Sequence, residues 1–471
     1  MSRPVAVVVG GGISGLAAAY DLVRAGVDVR VLEAGARLGG KIETGPFAGV
    51  ALDAGPDGFL ARVPWLTDLC VELGLGEELV APASRRAYLW SGTDLAPFPE
   101  GLVLGVPTDL DALASSGLVS DAGVARAAED LARPEGTPTD LDDGDESVGS
   151  LVRRRVGDEV FTQLVEPLLS GVNAGNADRL SVALGAPQLA AAAASDTSLI
   201  RGLQAQRRAA STSPDAPVFW SLPGGVSRIV EALARRLRAD GATITTGAPV
   251  SAIESHGERH RVRSAVGDIE ADAVVLAIPA FAAAPLVAAH STGTAAALAG
   301  LRYASVTLVS LAVDTATLER PLDASGFLVP RSAGLVLTAC SWASTKWAHL
   351  ATDGTALLRA SIGRVDDERH LAMDDAEVVD AVMADLATTM GLRSAPTASR
   401  VTRWPASLPQ YPPGHEAVVD LVTAELADRA PGVHLTGAAC RGLGLPACVR
   451  QGRETAVEVA RDLGLTAIAA S

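Results

Sequence analysis

The sequence predicts an α/β fold in which a parallel-sheet domain is assembled from separated chain segments and joined to an α+β region with an antiparallel sheet and a helical insertion. A strand-helix-strand pattern opens the chain, strand-rich stretches of similar character return near 217–280 and at 432–438, and the intervening stretches differ in composition and periodicity. At 471 residues the chain exceeds the usual size of one hydrophobic core, so several packed units are expected.

The first unit of this fold is predicted at the N-terminus. Val5–Val9 is a continuous apolar run of the kind found in buried parallel strands, Ile13–Ala25 has helical periodicity, and Val27–Glu33 is strand-like. A strand, a helix and a second strand in this order form a βαβ unit. Rossmann-like dinucleotide-binding domains are built on this unit.

A glycine-rich turn joins the first strand to the first helix. It reads VGGGISG, with Gly10, Gly12 and Gly15 at the spacing of a dinucleotide fingerprint, where they allow a tight turn, close approach of a pyrophosphate and close packing of helix on strand. Glu33, at the end of the second strand, is placed to accept hydrogen bonds from an adenosine ribose. The pattern therefore predicts a dinucleotide site rather than a glycine-rich turn that binds no ligand. These residues do not distinguish NAD from FAD.

A second glycine pair follows directly, in AGARLGGKIET (34–44). Gly39 and Gly40 lie between Arg37 and Lys41, which would bring cationic groups near an extended diphosphate. The segment resembles the RxGGRxxS/T signature of the two-domain flavin oxidases, with Lys41 in place of the second Arg and Thr44 at the hydroxyl position. Lysine keeps the charge but lacks the fork of arginine, so a looser contact is expected.

The later segments are expected to complete the nucleotide-binding domain. We assign residues 1–84, 216–294 and 411–471 to it, with a helix at Val226–Ala239 and a final helix from about Glu454 to Leu463.

Two insertions separate these segments. Residues 85–215 are predicted to be a mainly helical insertion that forms part of a substrate-binding region, with a helix that begins near Ser147. Residues 295–410 contain RYASVTLVSLAVD, GFLVPR, SAGLVLTACSW and TALLRASIG, each with the period of two that is typical of strands. A substrate-binding domain with an antiparallel sheet covered by helices is therefore predicted for 295–410.

Charge and composition exclude several classes of function. A net charge of −16 without a basic run argues against a nucleic-acid partner. The apolar run 273–289 is long enough for a membrane span, but Pro279 and Pro285 favour a strand, a turn and a helix. The cysteines and histidines show no metal-binding spacing, and His256 and His260 are expected in an exposed turn. Without a signal peptide, the cytoplasm is the expected location.

Several longer segments together resemble one family. They read LDAGPDGFLAR (52–62), VEPLLSGVNAGNADRLS (165–181), FWSLPGGVSRIV (219–230), WPASLPQY (404–411) and LTGAACRGLGLPAC (435–448). This combination is similar to the bacterial protoporphyrinogen and coproporphyrinogen oxidases, members of the amine oxidase superfamily that bind FAD. The resemblance extends from the first strand to the last helix.

The resemblance implies that FAD is held by three chain segments. The implied contacts are Gly10, Gly11, Gly12, Ile13, Ser14, Gly15, Glu33 and Ala34 for the ADP half, Lys41, Gly55, Pro56, Asp57 and Gly58 toward the flavin, the backbone of Val250 at the adenine, and Trp404, Gly442, Leu443 and Gly444 around the isoalloxazine. Each of the later contacts has a purely structural alternative: Val250 and Trp404 could be core residues, and 442–446 could be a simple turn before a helix. A helix near Val449 would direct its N-terminal N–H groups at reduced flavin.

The resemblance also implies a reaction. Coproporphyrinogen III would be oxidised to coproporphyrin III in haem biosynthesis by three two-electron dehydrogenations, with meso hydride passing to flavin N5 and O2 reduced to H2O2; protoporphyrinogen IX is the alternative substrate. An acidic chain without a membrane anchor favours the tetra-acid. No catalytic side chain and no metal are required, and transient contacts with ferrochelatase or a membrane surface stay open. Arg62, Arg441 and Arg450 are candidates for the propionates, or else surface arginines.

Other functions fit the sequence less well. An amine oxidase needs an aromatic cage, which four tyrosines and seven phenylalanines would hardly supply. A carotenoid desaturase would be expected to carry a more apolar insertion than 85–215. A flavin-binding scaffold or redox sensor without turnover is disfavoured because the segments around the flavin are intact.

Overall fold

The computed structural model describes residues 3–136, 145–209, 216–257 and 259–465. Its strands, in chain order, are β1 (Val5–Val9), β2 (Asp28–Leu32), β3 (Thr44–Phe47), β4 (Val50–Asp53), β5 (Phe59–Leu60), β6 (Tyr88–Trp90), β7 (Leu95–Pro97), β8 (Leu102–Val103), β9 (Val106–Pro107), β10 (Phe219–Trp220), β11 (Thr243–Thr245), β12 (Val250–His256), β13 (Arg259–Ser264), β14 (Gly267–Ala271), β15 (Ala273–Leu276), β16 (Tyr303–Asp314), β17 (Gly326–Leu328), β18 (Leu337–Trp342), β19 (Thr355–Ile362), β20 (Ala398–Pro409) and β21 (Val433–Leu435).

Its α-helices are α1 (Ile13–Arg24), α2 (Pro64–Glu72), α3 (Leu110–Ser116), α4 (Asp121–Ala128), α5 (Val148–Val156), α6 (Asp158–Val160), α7 (Glu166–Asn173), α8 (Val182–Gly185), α9 (Pro187–Ser195), α10 (Leu199–Ala209), α11 (Ser227–Ala239), α12 (Ala280–Val287), α13 (Thr292–Ala299), α14 (Ala343–Lys346), α15 (Asp375–Met390), α16 (His415–Arg429) and α17 (Leu445–Asp462). A π-helical segment over Phe161–Val165 joins α6 to α7.

A five-stranded parallel sheet, in the order β11-β2-β1-β15-β21, forms the centre of one part of the molecule. Along β1, Ala6 and Val8 pack into a core shared with α1, α2, α11 and α17, whereas Val7 and Val9 pack into a second core with β12–β14, α12 and α16. Because both faces of the sheet are covered, its strands need apolar residues on both sides, which explains the uninterrupted VAVVV of β1. The predicted α/β fold class is confirmed.

A seven-stranded sheet forms the second part, in the order β20-β16-β19-β18-β17-β6-β7. Its pairs are antiparallel except for β17 and β6, and α15 covers one face with Val378, Val382 and Leu386. The four segments predicted as strands from their alternation are β16 to β19. The sequence did not indicate β6 and β7, which come from the helical insertion, because three residues each are too few to show a period.

The helical insertion has its own apolar core, to which α3 to α10 contribute. Leu328 and Tyr411 from the sheet region pack against it, as does Leu443 from the segment before α17. The insertion therefore contacts both other parts of the molecule.

Two local predictions need correction. The last helix begins at Leu445 rather than near Glu454, because Pro446 is well suited to a first helical turn. His260 lies on β13 and is buried rather than exposed, and its Nε2 is 2.7 Å from the carbonyl oxygen of Pro431. His256 is exposed as expected.

The apolar run 273–289 forms β15 and then α12, with Pro279 as the residue before the helix, as the sequence predicts. Across the described part of the chain, no helix combines the length and apolarity that a membrane crossing requires.

Candidate active site

The glycine-rich turn after β1 has the geometry of a phosphate cradle. Gly10 has a φ of +107°, and a Cβ there would lie 2.5 Å from the carbonyl oxygen of Ala277. A Cβ on Gly15 would lie 2.1 Å from the carbonyl oxygen of Gly10, so the start of α1 can approach β1 only without one. The Cβ position of Gly12, by contrast, faces open space, with no atom within 4 Å. This space lies at the N-terminus of α1, where a pyrophosphate is favoured.

Glu33 is fixed beside this turn by its own backbone contacts. Its two carboxylate oxygens accept hydrogen bonds from the N–H groups of Gly11 and Gly35, both at 2.7 Å. Each oxygen retains a second acceptor position for a ribose hydroxyl. Ala34 follows Glu33 directly, and the N–H of Ala248 donates to the Glu33 carbonyl at 2.9 Å, which brings the start of β12 to the same place.

The side chain of Val250 has the core role considered for it, and its backbone contact with adenine stays a prediction. Its side chain packs against the core that contains Leu32 and Ile253, as a core strand residue would. Its backbone begins β12, two residues after Ala248, and so lies close to the adenosine end of the candidate site.

The second glycine pair packs directly on the first. The N–H of Gly39 donates to the carbonyl of Gly11 at 2.8 Å, and a Cβ on Gly40 would lie 3.4 Å from the Cα of Gly12. The charge of Arg37 suggested a diphosphate contact, but its guanidinium already has partners within its own loop. Its guanidinium donates to the carbonyl of Gly40 at 2.8 Å and to Glu43 at 2.6 Å, so it braces the loop.

Lys41 is a partly buried cation that makes no hydrogen bond or ion pair with the described residues. Burial lowers the pKa of its ammonium group. A cation of this kind beside a glycine cradle lacks the anion that would balance it. The open space at Gly12 and the uncompensated Lys41 therefore fit a dinucleotide diphosphate.

A second helix N-terminus lies close to the first. A Cβ on Gly452 would lie 2.3 Å from the carbonyl oxygen of Ser14, so this glycine lets α17 pack tightly on the start of α1. Leu445 precedes Gly452 by seven residues, or about 10 Å of helix. An extended ligand on α1 would therefore reach the N-terminus of α17 and the Gly442–Gly444 loop before it.

Gln451 holds this loop in place, and the sequence reasoning missed it. It is buried on α17, where its Nε2 donates to the carbonyl of Gly442 at 3.0 Å and its Oε1 accepts from the N–H of Arg441 at 2.7 Å. An amide on the apolar face of the last helix was the signal that could have identified it. Gly442 has a φ of +120°, and Leu443 packs against the helical insertion.

The LDAGPDGF segment runs along the boundary between the two sheets. A Cβ on Gly55 would lie 2.1 Å from the carbonyl oxygen of Lys41, and one on Gly58 would lie 3.0 Å from the Trp347 ring. Trp404 on β20 donates from Nε1 to the carbonyl of Ala54 at 2.8 Å. Trp404 thus lies beside the segment that the sequence directs toward the flavin.

Asp57 differs from its expected role, because its side chain faces the antiparallel sheet. Its carboxylate lies 3.1 Å from Lys346 Nζ and 3.0 Å from an Arg359 guanidinium nitrogen, and it accepts from Trp347 Nε1 at 3.1 Å. Lys346 and Arg359 outweigh burial and hold its pKa well below the usual range. Because these contacts hold its carboxylate, Asp57 can meet a ligand only through its backbone; Pro56 precedes it in the loop. Lys346 and Arg359 were not indicated by the sequence.

The three arginines considered for substrate propionates are placed differently. Arg62 is exposed after β5 and makes no hydrogen bond or ion pair with the described residues. Arg441 pairs with Asp420, and Arg450 donates to the carbonyl of Arg441 at 3.2 Å. Only Arg62 therefore keeps its guanidinium uncommitted.

Two of the segments that carry the family resemblance, 165–181 and 404–411, meet in space. Gln410 donates from Nε2 to the carbonyl of Asn173 at 3.1 Å, and the N–H of Val365 donates to Ala174 at 2.7 Å. Ala174 and Ala406 have φ values of +45° and +42°, which are unfavourable for alanine. Strained backbone persists only where its surroundings fix it, and it is often found at functional sites.

Comparison with known proteins identifies relatives along the whole chain. The family described as flavin containing amine oxidoreductase matches residues 13–460. The coproporphyrinogen III oxidase of Bacillus subtilis (strain 168) is 34% identical over 458 residues, which are 95% of this chain and 96% of that protein. Protoporphyrinogen oxidase 1, chloroplastic, of Arabidopsis thaliana is 30% identical over 96% of this chain and 87% of its own length. A crystal structure from Exiguobacterium sp. 255-15 superposes with a TM-score of 0.87 at 33% identity and covers 98% of this chain and 100% of that one.

Proposed function

Because the chain belongs to the flavin-containing amine oxidoreductase family and is an FAD-dependent oxidoreductase, we propose that it oxidises coproporphyrinogen III to coproporphyrin III in haem biosynthesis. The observation that carries this proposal is the similarity to the Bacillus subtilis protein of that name, which covers almost the full length of both chains. The hydrogen bond between Gln410 and Asn173 supports it, because it joins two of the segments that carry the resemblance to this family.

In the proposed reaction, three dehydrogenations of the porphyrinogen consume three O2 and release three H2O2. Bound FAD would supply the redox chemistry, accepting a hydride from a meso carbon at N5 in each round and passing two electrons to O2. The protein contributes binding and orientation rather than a nucleophile or a metal. Gly442–Gly444, Trp404 and the backbone of 55–58 are the residues we assign to the isoalloxazine end.

At the other end of the cofactor, positively charged groups of the chain would bind the negatively charged diphosphate. The N-terminus of α1 and Lys41 would hold the diphosphate, and Glu33 would accept hydrogen bonds from the ribose. Val250 would meet the adenine through its backbone. On the substrate side, Arg62 is retained as a propionate contact, whereas Arg441 and Arg450 are not, because other groups already hold their guanidinium groups.

The second candidate function is oxidation of protoporphyrinogen IX. It is suggested by the name of the Arabidopsis relative, protoporphyrinogen oxidase 1. The two substrates undergo the same chemistry and differ in their carboxylates and vinyl groups. The test is to purify the protein, record its flavin spectrum, and follow porphyrin fluorescence in air with each porphyrinogen separately. Faster oxidation of coproporphyrinogen III, with three H2O2 per porphyrin, is expected. Preference for protoporphyrinogen IX would select the second candidate, and bound flavin with neither activity would contradict both.

A further inference from the structure

Arg364 is a buried arginine whose side chain lacks a hydrogen-bonding partner. It follows β19, its side chain is only 3% exposed, and its Nε is enclosed without a partner. The side chain makes no hydrogen bond with the described residues, and the closest carboxylate oxygen, on Asp367, is 3.9 Å from Nε. Burying the Nε–H donor of a guanidinium without an acceptor is unfavourable, and the other four N–H donors also make no hydrogen bond to the described residues. The site therefore lacks an acceptor.

The two carboxylates around Arg364 each pair with another arginine, although Oε2 of Glu166 is buried without a hydrogen-bond partner. Asp367 accepts two hydrogen bonds from Arg369, each of 2.8 Å, and Glu166 lies 3.3 Å from Nε of Arg331. These five side chains comprise three cations and two anions, so one positive charge is in excess. Burial, together with Arg331, lowers the pKa of Arg364. An anion of a ligand would remove this imbalance.

The position of Arg364 connects it to the candidate substrate region. Val365, the next residue, belongs to a small apolar cluster with Ala174 and Val306, and Val306 pairs with Trp404 across β16 and β20. Arg331 donates to the carbonyl of Gly175 at 2.9 Å and, at 3.5 Å, to the carbonyl of Val365. Arg364 and Arg331 therefore lie where the helical insertion meets the antiparallel sheet.

We propose that Arg364, with Arg331 beside it, forms a carboxylate-binding subsite that takes a propionate of the tetrapyrrole. The inference rests on the proposed function and extends it, because it assigns part of the preference for the tetra-acid substrate to one buried guanidinium. A carboxylate matches the planar fork of arginine with two parallel hydrogen bonds. A propionate there would satisfy the donors that the protein leaves unpaired.

The test measures binding of coproporphyrin III, the stable product, to the FAD-loaded protein by the change in its Soret absorption. Its tetramethyl ester serves as the uncharged comparison. The wild type is expected to bind the free acid more tightly than the ester. Arg364→Gln should weaken binding of the acid by about tenfold or more and leave the ester unchanged, the usual effect of losing a charge-assisted hydrogen bond. Arg364→Lys should recover part of the loss.

The matched control is Arg179→Gln, which removes an exposed arginine that pairs with Asp366 at 3.4 Å. It should retain the wild-type ratio of acid to ester affinity. Thermal unfolding without porphyrin adds a second readout: Arg364→Gln should not lower the melting temperature, because an unbalanced buried cation does not stabilise the empty protein. A lower melting temperature with equal losses for acid and ester would mean a structural role and overturn the inference.

An unchanged acid-to-ester ratio in Arg364→Gln would overturn it as well. If this variant does not fold, Arg364→Lys decides alone, since it keeps the charge but loses the fork; a ratio equal to the wild type would then refute the subsite. Failure of the proposed function has a different signature. A wild type that binds coproporphyrin III through Arg364 but does not oxidise coproporphyrinogen III would contradict the function and keep the subsite.

Discussion

The carboxylate of Asp57 and the ammonium group of Lys346 lie 3.1 Å apart, although 289 positions separate them in the chain. Asp57 belongs to the segment that passes between the two sheets, and Lys346 ends α14 beside the antiparallel sheet. Arg359 reaches the same carboxylate from β19 and also donates to the carbonyl of Gly55. This ion cluster therefore fixes the loop 55–58 against the antiparallel sheet.

Replacing Asp57 should destabilise the protein strongly. Asp57→Asn leaves Lys346 and Arg359 without their anion, and breaking a buried ion pair from one side costs about 3 kcal/mol or more. Urea unfolding should show this loss. The control is Asp68→Asn, since Asp68 is exposed. Equal stability of both variants would mean that the cluster does not hold the two regions together.

The depressed pKa of Asp57 predicts that the stability of the folded protein is sensitive to acid. The pKa of Asp57 is depressed in the folded protein, so its stabilising effect is present above the ordinary aspartate pKa and is lost as the pH falls toward the folded value. The wild type should therefore lose stability more steeply than Asp57→Asn below pH about 4.

The raised pKa of Asp53 predicts that its contribution to stability changes with pH in the opposite direction. Burial raises its pKa to about 6, although Thr44 Oγ1 donates to it at 2.5 Å and the N–H of Val226 at 3.1 Å. Because the folded protein holds this proton more tightly than the unfolded chain, its contribution is full below pH about 4 and is lost as the pH rises through about 6. The difference from the ordinary pKa of an aspartate corresponds to about 3 kcal/mol.

Asp53→Asn keeps an acceptor oxygen but cannot ionise, so it should remove this decline. Urea unfolding between pH 4.5 and 7.5 measures it in a range where Asp57 stays ionised. The variant should be at least as stable as the wild type at pH 7. A decline of equal size in both proteins would assign it to another group.

Sequence reasoning predicted the structure correctly where the structure depends on neighbouring residues. The turn at Gly10 to Gly15, its strand and helix, and the acidic residue Glu33 all lie in one βαβ unit, so their pattern could be read along the chain. The alternation that predicted β16 to β19 is local in the same way. The fold class followed from such patterns.

It failed where the partner is distant. Nothing around Asp57 indicates Lys346, and nothing around Arg364 indicates that its carboxylate neighbours are already paired. Arg37 shows a related limit: charge and spacing suggested a diphosphate contact, and they did not indicate that Glu43 and backbone carbonyls of its own loop hold its guanidinium. Sequence patterns give the type of a residue, and only packing determines its partner.

Lys41 is expected to contribute to cofactor affinity. Its partly buried ammonium group has no counter-ion among the described residues, so a diphosphate would gain a charge-assisted contact. Lys41→Gln should weaken FAD binding to the apoprotein by about tenfold or more, as measured by quenching of flavin fluorescence. Lys41→Arg keeps the charge and should retain most of the affinity. Unchanged binding in Lys41→Gln would remove this residue from the site.

Arg62 should affect the substrate and not the cofactor. Because Arg62 is an exposed residue, a contact with a propionate is screened by water and salt, and Arg62→Ala should raise the Michaelis constant for coproporphyrinogen III only about two- to fivefold. The amount of bound FAD should not change. Arg441→Ala is the comparison, since Arg441 is already paired with Asp420. Normal kinetics in Arg62→Ala would exclude the contact.

Gly12 and Gly15 allow ligand binding to be separated from packing within one motif. A methyl group on Gly12 meets no protein atom within 4 Å, and its backbone, at a φ of −74°, accepts alanine. A methyl group on Gly15 meets the carbonyl oxygen of Gly10 at 2.1 Å. Gly12→Ala should therefore unfold like the wild-type apoprotein but bind FAD at least about tenfold more weakly, because the methyl group occupies the space for the pyrophosphate.

Gly15→Ala should instead destabilise the apoprotein by about 1 to 3 kcal/mol, as overpacking does. Calorimetry of the apoproteins and FAD titration, performed on both variants, separate the two effects. If Gly12→Ala bound FAD normally, the open space above Gly12 would not hold the diphosphate, and the cofactor would have to approach α1 along another path. If Gly12→Ala lost stability without FAD, the added methyl group would be disturbing the packing of the turn as well as the binding of the ligand.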